Sequence, residues 1–243
     1  MHSQNFEVMS KKKEKEIKAE SQLSNIEESL TKTEQFIVDN QNTLIIIVVA
    51  LIAVVLGYFG WKKYYMEPKT QEAQEQIYNA QKYFEADSLD KALFGDGNNL
   101  GFIDIADDYG MTKPGKLANY YAGICYLKKH DYDKAIEYLK DFSADDEIVS
   151  SMAIGAIGDA YLEKGEEDKA VDYYLKASSN TVNDFTTPLF LFKAGEVYEM
   201  QNKLDDALEI YKRIKSEYLG SKEGREIEKY IGRVTAKLDK SNK

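Results

Sequence analysis

Few residues in this chain could do chemistry at neutral pH. It holds one cysteine, Cys125, and two histidines, His2 and His130. One thiol cannot form an internal disulfide, and two histidines supply neither a metal set nor a triad. Cys125 lies in an apolar helical run with no second cysteine near it, so it reads as a small buried hydrophobe. The acidic residues offer one motif: Asp96-Gly-Asn98-Asn-Leu100-Gly101-Phe-Ile103-Asp104-Ile-Ala-Asp107 has the spacing of a calcium loop. Its fifth position, Leu100, has no side-chain oxygen, and its twelfth, Asp107, is shorter than the glutamate that chelates with both oxygens. It therefore reads as a glycine turn with an exit helix near Phe102. The pairs Asp107-Asp108, Asp145-Asp146 and Asp205-Asp206 fall at helix ends, where carboxylates favour N-termini and water. The expectation is a protein with no catalytic residue, no metal and no cofactor.

These residues sit inside a repeat. Gly-x-x-Tyr occurs as Gly123-Ile-Cys-Tyr126, Gly158-Asp-Ala-Tyr161 and Gly195-Glu-Val-Tyr198. Twelve residues after each glycine comes an alanine (Ala135, Ala170, Ala207), and four further on Leu139, Tyr174 or Tyr211. Lys129-His130-Asp131, Lys164-Gly165-Glu166 and Gln201-Asn202-Lys203 read as the intervening turns. A degenerate copy begins at Ala80-Gln-Lys-Tyr83, with Ala92 twelve residues on and an insertion around Gly95–Gly101. Ile227, Tyr230, Ile231, Val234 and Leu238 form one apolar stripe on a charged terminal helix, as a cap requires. Thr187-Pro188 reads as an N-cap followed by the first helical residue.

The spacing resembles the tetratricopeptide repeat, which implies an all-α solenoid of helix–turn–helix units. By that register the repeat domain is 73–243: a degenerate repeat at about 73–112, full repeats at about 116–149, 151–184 and 188–220, and a cap at 221–239. The resemblance also implies a concave groove for peptides or proteins, lined by Tyr78, Phe84, Leu117, Tyr120, Ile124, Leu127, Met152, Leu162, Leu189, Phe192 and Met200. Asp159, Glu163, Glu196 and Glu199 are interspersed. Repeat domains that grip a C-terminal carboxylate carry Lys and Asn where this chain has Tyr120 and Ile124, so an apolar peptide or helix is the expected occupant.

Ahead of the repeats, Leu44–Leu56 is apolar on every helical face, and no charge occurs from Asn40 to Trp61. About 20 helical residues at about 1.5 Å each cover a bilayer core of about 30 Å. Tyr58, Phe59, Trp61, Tyr64 and Tyr65 follow, suited to the headgroup layer. The expected layout is a tail at 1–42 with a short juxtamembrane helix opened by Thr31-x-x-Glu34, a transmembrane helix at 43–61, a linker at 62–72, then the repeats. Of the 32 Lys and Arg and 42 Asp and Glu, 6 and 8 precede the span, leaving −8 on the large domain. Phosphate binding needs a basic face, so nucleic acid is excluded as a partner. Met9 is an alternative start to Met1.

The whole order, with Glu34–Asn40 before the span and Gly57-Tyr-Phe-Gly-Trp61-Lys-Lys-Tyr-Tyr65 at its end, resembles the YfgM-like ancillary subunits of the bacterial Sec translocon. That resemblance implies an inner-membrane protein with a cytoplasmic N-terminus and periplasmic repeats. Its partners would be the translocon, a membrane-anchored chaperone or exported clients. A structural scaffold for envelope assembly or cell division is the other reading.

Overall fold

The computed structural model describes residues 34–143 and 146–241. Thr31, His2, both candidate starts and the lysine-rich tail lie outside the described residues. The chain divides into two units between Tyr64 and Tyr65. In the first, a helical segment at 34–39 precedes α1, Gln41–Trp61. None of α1's residues is buried by protein, and the helix that begins at Gln41 is long and apolar enough to cross a membrane. Residues 62–72, expected as a linker, are helical. Lys62–Met66 form a π-helical turn and α2, Glu67–Glu85, follows directly; Pro68, which has no N–H to donate, lies two residues after the π-helical turn.

The second unit is helical throughout its described residues. After α2 come α3 (Leu89–Phe94), α4 (Phe102–Tyr109), α5 (Lys113–Lys128), α6 (Tyr132–Asp141), α7 (Glu147–Glu163), α8 (Glu167–Asn180), α9 (Thr186–Met200), α10 (Leu204–Glu217) and α11 (Lys222–Ser241). Helices α5 with α6, α7 with α8 and α9 with α10 form three helix–turn–helix units, and each packs on the next.

One contact sets each unit's internal geometry. A Cβ built on Gly123 would stand 2.5 Å from Leu139 Cγ, on Gly158 2.7 Å from Tyr174 Cδ1, and on Gly195 2.5 Å from Tyr211 Cε1. The residue sixteen positions after each glycine therefore lies where a side chain on the first helix would be. Tyr174 and Tyr211 are about as fully buried as any residue in the chain, and burial of a ring that size stabilises by roughly 2–3 kcal/mol. The motif tyrosines brace the same joint from the side: Tyr126 stacks on Tyr138 at 5.4 Å and Tyr161 lies 5.2 Å from Tyr173.

The first helix of every unit ends alike. Asp87, His130, Gly165 and Asn202, each seven residues after the motif's small residue, have φ of 53°, 61°, 75° and 59°. Each N–H bonds to the carbonyl three back, and the next N–H to the carbonyl five back, as in Asp131 to Tyr126 and Glu166 to Tyr161. This double bond pattern satisfies helix-end carbonyls that would otherwise lack partners. Consecutive turns are tied by a ladder: Lys129 to Asp90 at 2.6 Å, Lys164 to Asp133 at 2.6 Å, then Gln201 and Lys203 to Asp168 at 2.9 and 3.0 Å.

Two ends depart from the repeat. In the first copy Ala80 replaces the glycine, and the sixteenth position after it is Asp96, in a loop, because the second helix breaks at Gly95 and resumes as α4. At the far end α11 has the register of a first helix. Gly232 stands 37 residues after Gly195, and Ile227 and Val234 are buried where Phe190 and Val197 are. Its start copies α5: the Ser221 and Thr112 hydroxyls accept from Gly224 and Gly115 N–H, at 2.9 and 3.1 Å. A Cβ on Gly232, however, meets nothing within 4 Å.

The start of α9 differs from the sequence reading. The helix begins at Thr186, and Asn183 Oδ1 caps it by accepting from Phe185 and Thr186 N–H at 2.9 and 2.7 Å. Thr187 is buried in the first turn, and its hydroxyl donates to the Ser178 carbonyl at 3.1 Å. Capping moved upstream because the amide side chain reaches two free N–H groups from one residue.

Two substitutions separate steric from conformational constraint. Gly158→Leu should lower unfolding free energy by about 3 kcal/mol or more, because the Tyr174 ring leaves no room. Gly165→Ala meets no atom and should lose only about 1–2 kcal/mol, from its left-handed backbone. Urea denaturation of the two variants checks the order; equal losses would show that the ring contact does not constrain the unit.

Candidate functional site

The first helices α7, α9 and α11 lie side by side, and their exposed faces enclose an open groove of about 520 Å³. Asp159 and Leu162 come from α7, Lys193, Glu196, Glu199 and Met200 from α9, and Arg233 and Lys237 from α11; Tyr174 of α8 reaches it from beneath. A second hollow of about 360 Å³ shares Asp159, Leu162 and Lys193 and continues the groove towards Leu127, Tyr132 and Glu163.

The packing contact described above also positions two of the groove's carboxylates. The Tyr174 ring lies over Gly158 while its hydroxyl donates to Asp159 Oδ1 at 2.6 Å, and Lys193 Nζ reaches both Asp159 oxygens at 2.6 and 2.8 Å. Likewise Tyr211, over Gly195, donates to Glu199 Oε1 at 3.0 Å. Glu199 also accepts from Arg233 Nε at 3.1 Å and Lys237 Nζ at 3.0 Å, and its side chain is only 6% exposed. Burial alone would raise the Glu199 pKa, but the bonds from Arg233, Lys237 and Tyr211 outweigh it and hold it below the ordinary value. Burial, then the adjacent carboxylates, push the Tyr174 and Tyr211 phenols far above theirs. Burial likewise raises Glu196, against the pull of Arg233.

Of the residues expected to line the groove, Leu127, Leu162 and Met200 do so. The others are placed differently. Tyr120 and Ile124 are half-buried against Ile136, Leu139 and the α7 alanines, with the Tyr120 ring 5.7 Å from Phe142. Met152 and Leu189 pack on the cluster around Tyr174 and Phe190. Phe192 meets Tyr230 edge-on at 4.7 Å, and Phe84 meets Tyr121 at 5.4 Å. Leu117 is half-buried against the first-repeat core, and Tyr78 is exposed on α2 beneath the Lys82 ammonium, 4.2 Å away. Sequence reading missed Lys193, Arg233 and Lys237. Arg233 and Lys237 follow Gly232 by one and five residues, so reading Gly232 as a further motif glycine would have found them.

Two residues weighed for chemistry in the sequence are engaged by the fold. Cys125 is fully buried and its thiol is pushed up to about 12 by that burial. Asp96, the first residue of the calcium-like loop, accepts from Tyr83 Oη at 2.6 Å and from the Asn98 and Asn99 N–H groups at 2.9 and 2.7 Å. The Tyr83 hydroxyl, then those N–H groups, hold its carboxyl well below the usual range. Its oxygens serve the turn, and the described residues contain no acid, histidine and cysteine cluster able to hold a metal.

A stack of helix–turn–helix units with a groove along its first helices defines a repeat scaffold. The units are tetratricopeptide repeats: a family model of that description matches residues 117–145 and 190–218, and a second matches 153–189. Repeats of this kind make the chain a protein–protein interaction module. A solved structure titled "Crystal structure of MamA" is similar at 21% identity, over 67% of this chain and 96% of that one, with a TM-score of 0.46. No curated protein matches the chain.

The lowered Glu199 pKa has a pH consequence. A carboxylate whose folded pKa lies below its unfolded one stabilises at pH values above the ordinary glutamate range and loses that contribution as pH falls through the folded value. Glu199→Gln should therefore destabilise by about 1–2 kcal/mol at pH 7, by removing the charge that Arg233 and Lys237, themselves nearly half exposed, bond to. The gap from the parent protein should shrink as pH drops below about 4. Urea unfolding of both proteins across that range checks it; a gap independent of pH would place the loss in packing instead of charge.

Proposed function

We propose that this protein is a membrane-anchored adaptor that holds extended segments of other proteins in the groove across α7, α9 and α11. The observation that carries the reading is that groove: an open channel, wetted by charge and lined by Leu162, Val197 and Met200, continuing over two hollows. The helix from Gln41, apolar and unburied by protein, supplies the anchor. Tethering at a membrane raises the local concentration of the groove, so a weak site can be well occupied by chains passing nearby. No step in this function makes or breaks a covalent bond.

The resemblance to YfgM-like subunits gives the finer form of the proposal. The N-terminal tail is cytoplasmic, the repeats are periplasmic in a bacterial inner membrane, and the clients are newly exported chains or a chaperone beside the Sec translocon.

Photo-crosslinking in cells from Leu162 and Met200 tests the binding face. Adducts with several exported chains are expected, and adducts absent there but abundant at Val182 or Leu219 on the exposed loops would overturn the groove assignment. Topology is read separately. A reporter active only in the periplasm, fused after Lys243, should be active, and silence of that fusion with activity of a cytoplasmic one would reverse the orientation.

A further inference from the structure

Three carboxylates and three cations line the groove, but the bonds among them are unevenly shared. Asp159 is matched by Lys193, and Glu199 by Arg233 and Lys237. Glu196 lies between these groups on the same face of α9 and, among the described residues, makes no hydrogen bond and no ion pair. Its side chain is exposed to the groove, and partial desolvation raises its pKa against the pull of Arg233 and Lys193. One helical turn along α9 is Met200, 63% exposed, and across the groove is Leu162. Further along the same channel lies Glu163, which accepts a long 3.5 Å bond from the Tyr132 hydroxyl. An acceptor carboxylate flanked by apolar side chains is complementary to a cationic side chain flanked by apolar ones.

We infer that Glu196 is a specificity-determining residue that selects partner segments carrying a lysine or arginine between apolar residues. The inference rests on the groove being the binding face, and it narrows the occupant from any extended chain to a basic, amphiphilic one. Acidic segments are disfavoured by the same arrangement. The groove cations are already engaged by Asp159 and Glu199, so an acidic partner would have to displace a bonded carboxylate and would also meet Glu196, which no cation bonds directly.

The test uses the full chain in detergent micelles and three fluorescent nonapeptides of leucine and serine that carry, at the centre, lysine, glutamate or glutamine. Anisotropy titrations should give tightest binding for the lysine peptide and weakest for the glutamate peptide. Glu196→Gln should lower lysine-peptide affinity about fivefold, the effect of one partly screened ion pair, and leave the glutamine peptide unchanged. The lysine preference of the parent protein should also narrow as salt is raised. A preference unaltered by Glu196→Gln, or tighter binding of the glutamate peptide, would overturn the inference while the groove stands. Failure of all three peptides to bind would remove the groove reading and this inference with it. Thermal unfolding of Glu196→Gln should match the parent protein, since the side chain makes no bond in the fold.

Discussion

The structure depends on a missing atom. Each full repeat brings its second helix so close that the residue sixteen positions on lies where a Cβ would be, against Gly123, Gly158 or Gly195. Only glycine permits that approach, and the approach fixes how the two helices cross. Because Tyr174 and Tyr211 extend past the contact, the same packing delivers their hydroxyls to Asp159 and Glu199, one and four residues along the first helix from the glycine. Core geometry and groove charge are thus one constraint. The first copy shows the converse: with Ala80 in place of glycine the ring is absent, the second helix breaks, and the sixteenth position becomes a loop aspartate that tethers Tyr83.

Between units, binding is shared by apolar clusters and the edge ladder. The clusters supply the energy; Phe190, for example, is fully buried and its ring lies 1.9 Å from where a Cβ of Gly155 would stand, a second site at which one helix admits another's ring. The ladder of Lys129, Lys164, Gln201 and Lys203 on Asp90, Asp133 and Asp168 is exposed, and such pairs contribute roughly 0–1 kcal/mol each. Their value is in register, since each can form only when neighbouring turns align. At the last step Leu238 stands where the next lysine would be, and the ladder gives way to apolar contact with the α10 cluster.

How much of this the sequence disclosed follows from what repeats encode. Gly-x-x-Tyr at offsets of 35 and 37 residues located the three units and their turns, since glycine, tyrosine and alanine there answer to local sterics. The groove was harder. On a helix, groove-facing and core-facing positions lie about 100° apart, and residues such as Ile124 and Phe192 fall on the boundary. Their apolar character suggested an oily channel, while Lys193, Arg233 and Lys237 give a mixed one. The ladder escaped notice because it joins residues 31 to 39 apart with no local signal.

Gly232 shows what a unit looks like before it is completed. It occupies the motif position of α11, on the 37-residue period, yet its slot is open and Thr235 replaces the tyrosine that would brace a second helix. The outward face is polar enough to meet water, so α11 both begins a repeat and terminates the stack. A terminus of this kind is a splice point: an added helix with a small residue to admit and a ring to insert at Gly232 would extend the array by half a period. The groove would lengthen with it, because Arg233 and Lys237 already lie on its wall. Length, and with it the reach of the recognised segment, is then a quantity that evolution or engineering can change in whole units without redrawing the units already present.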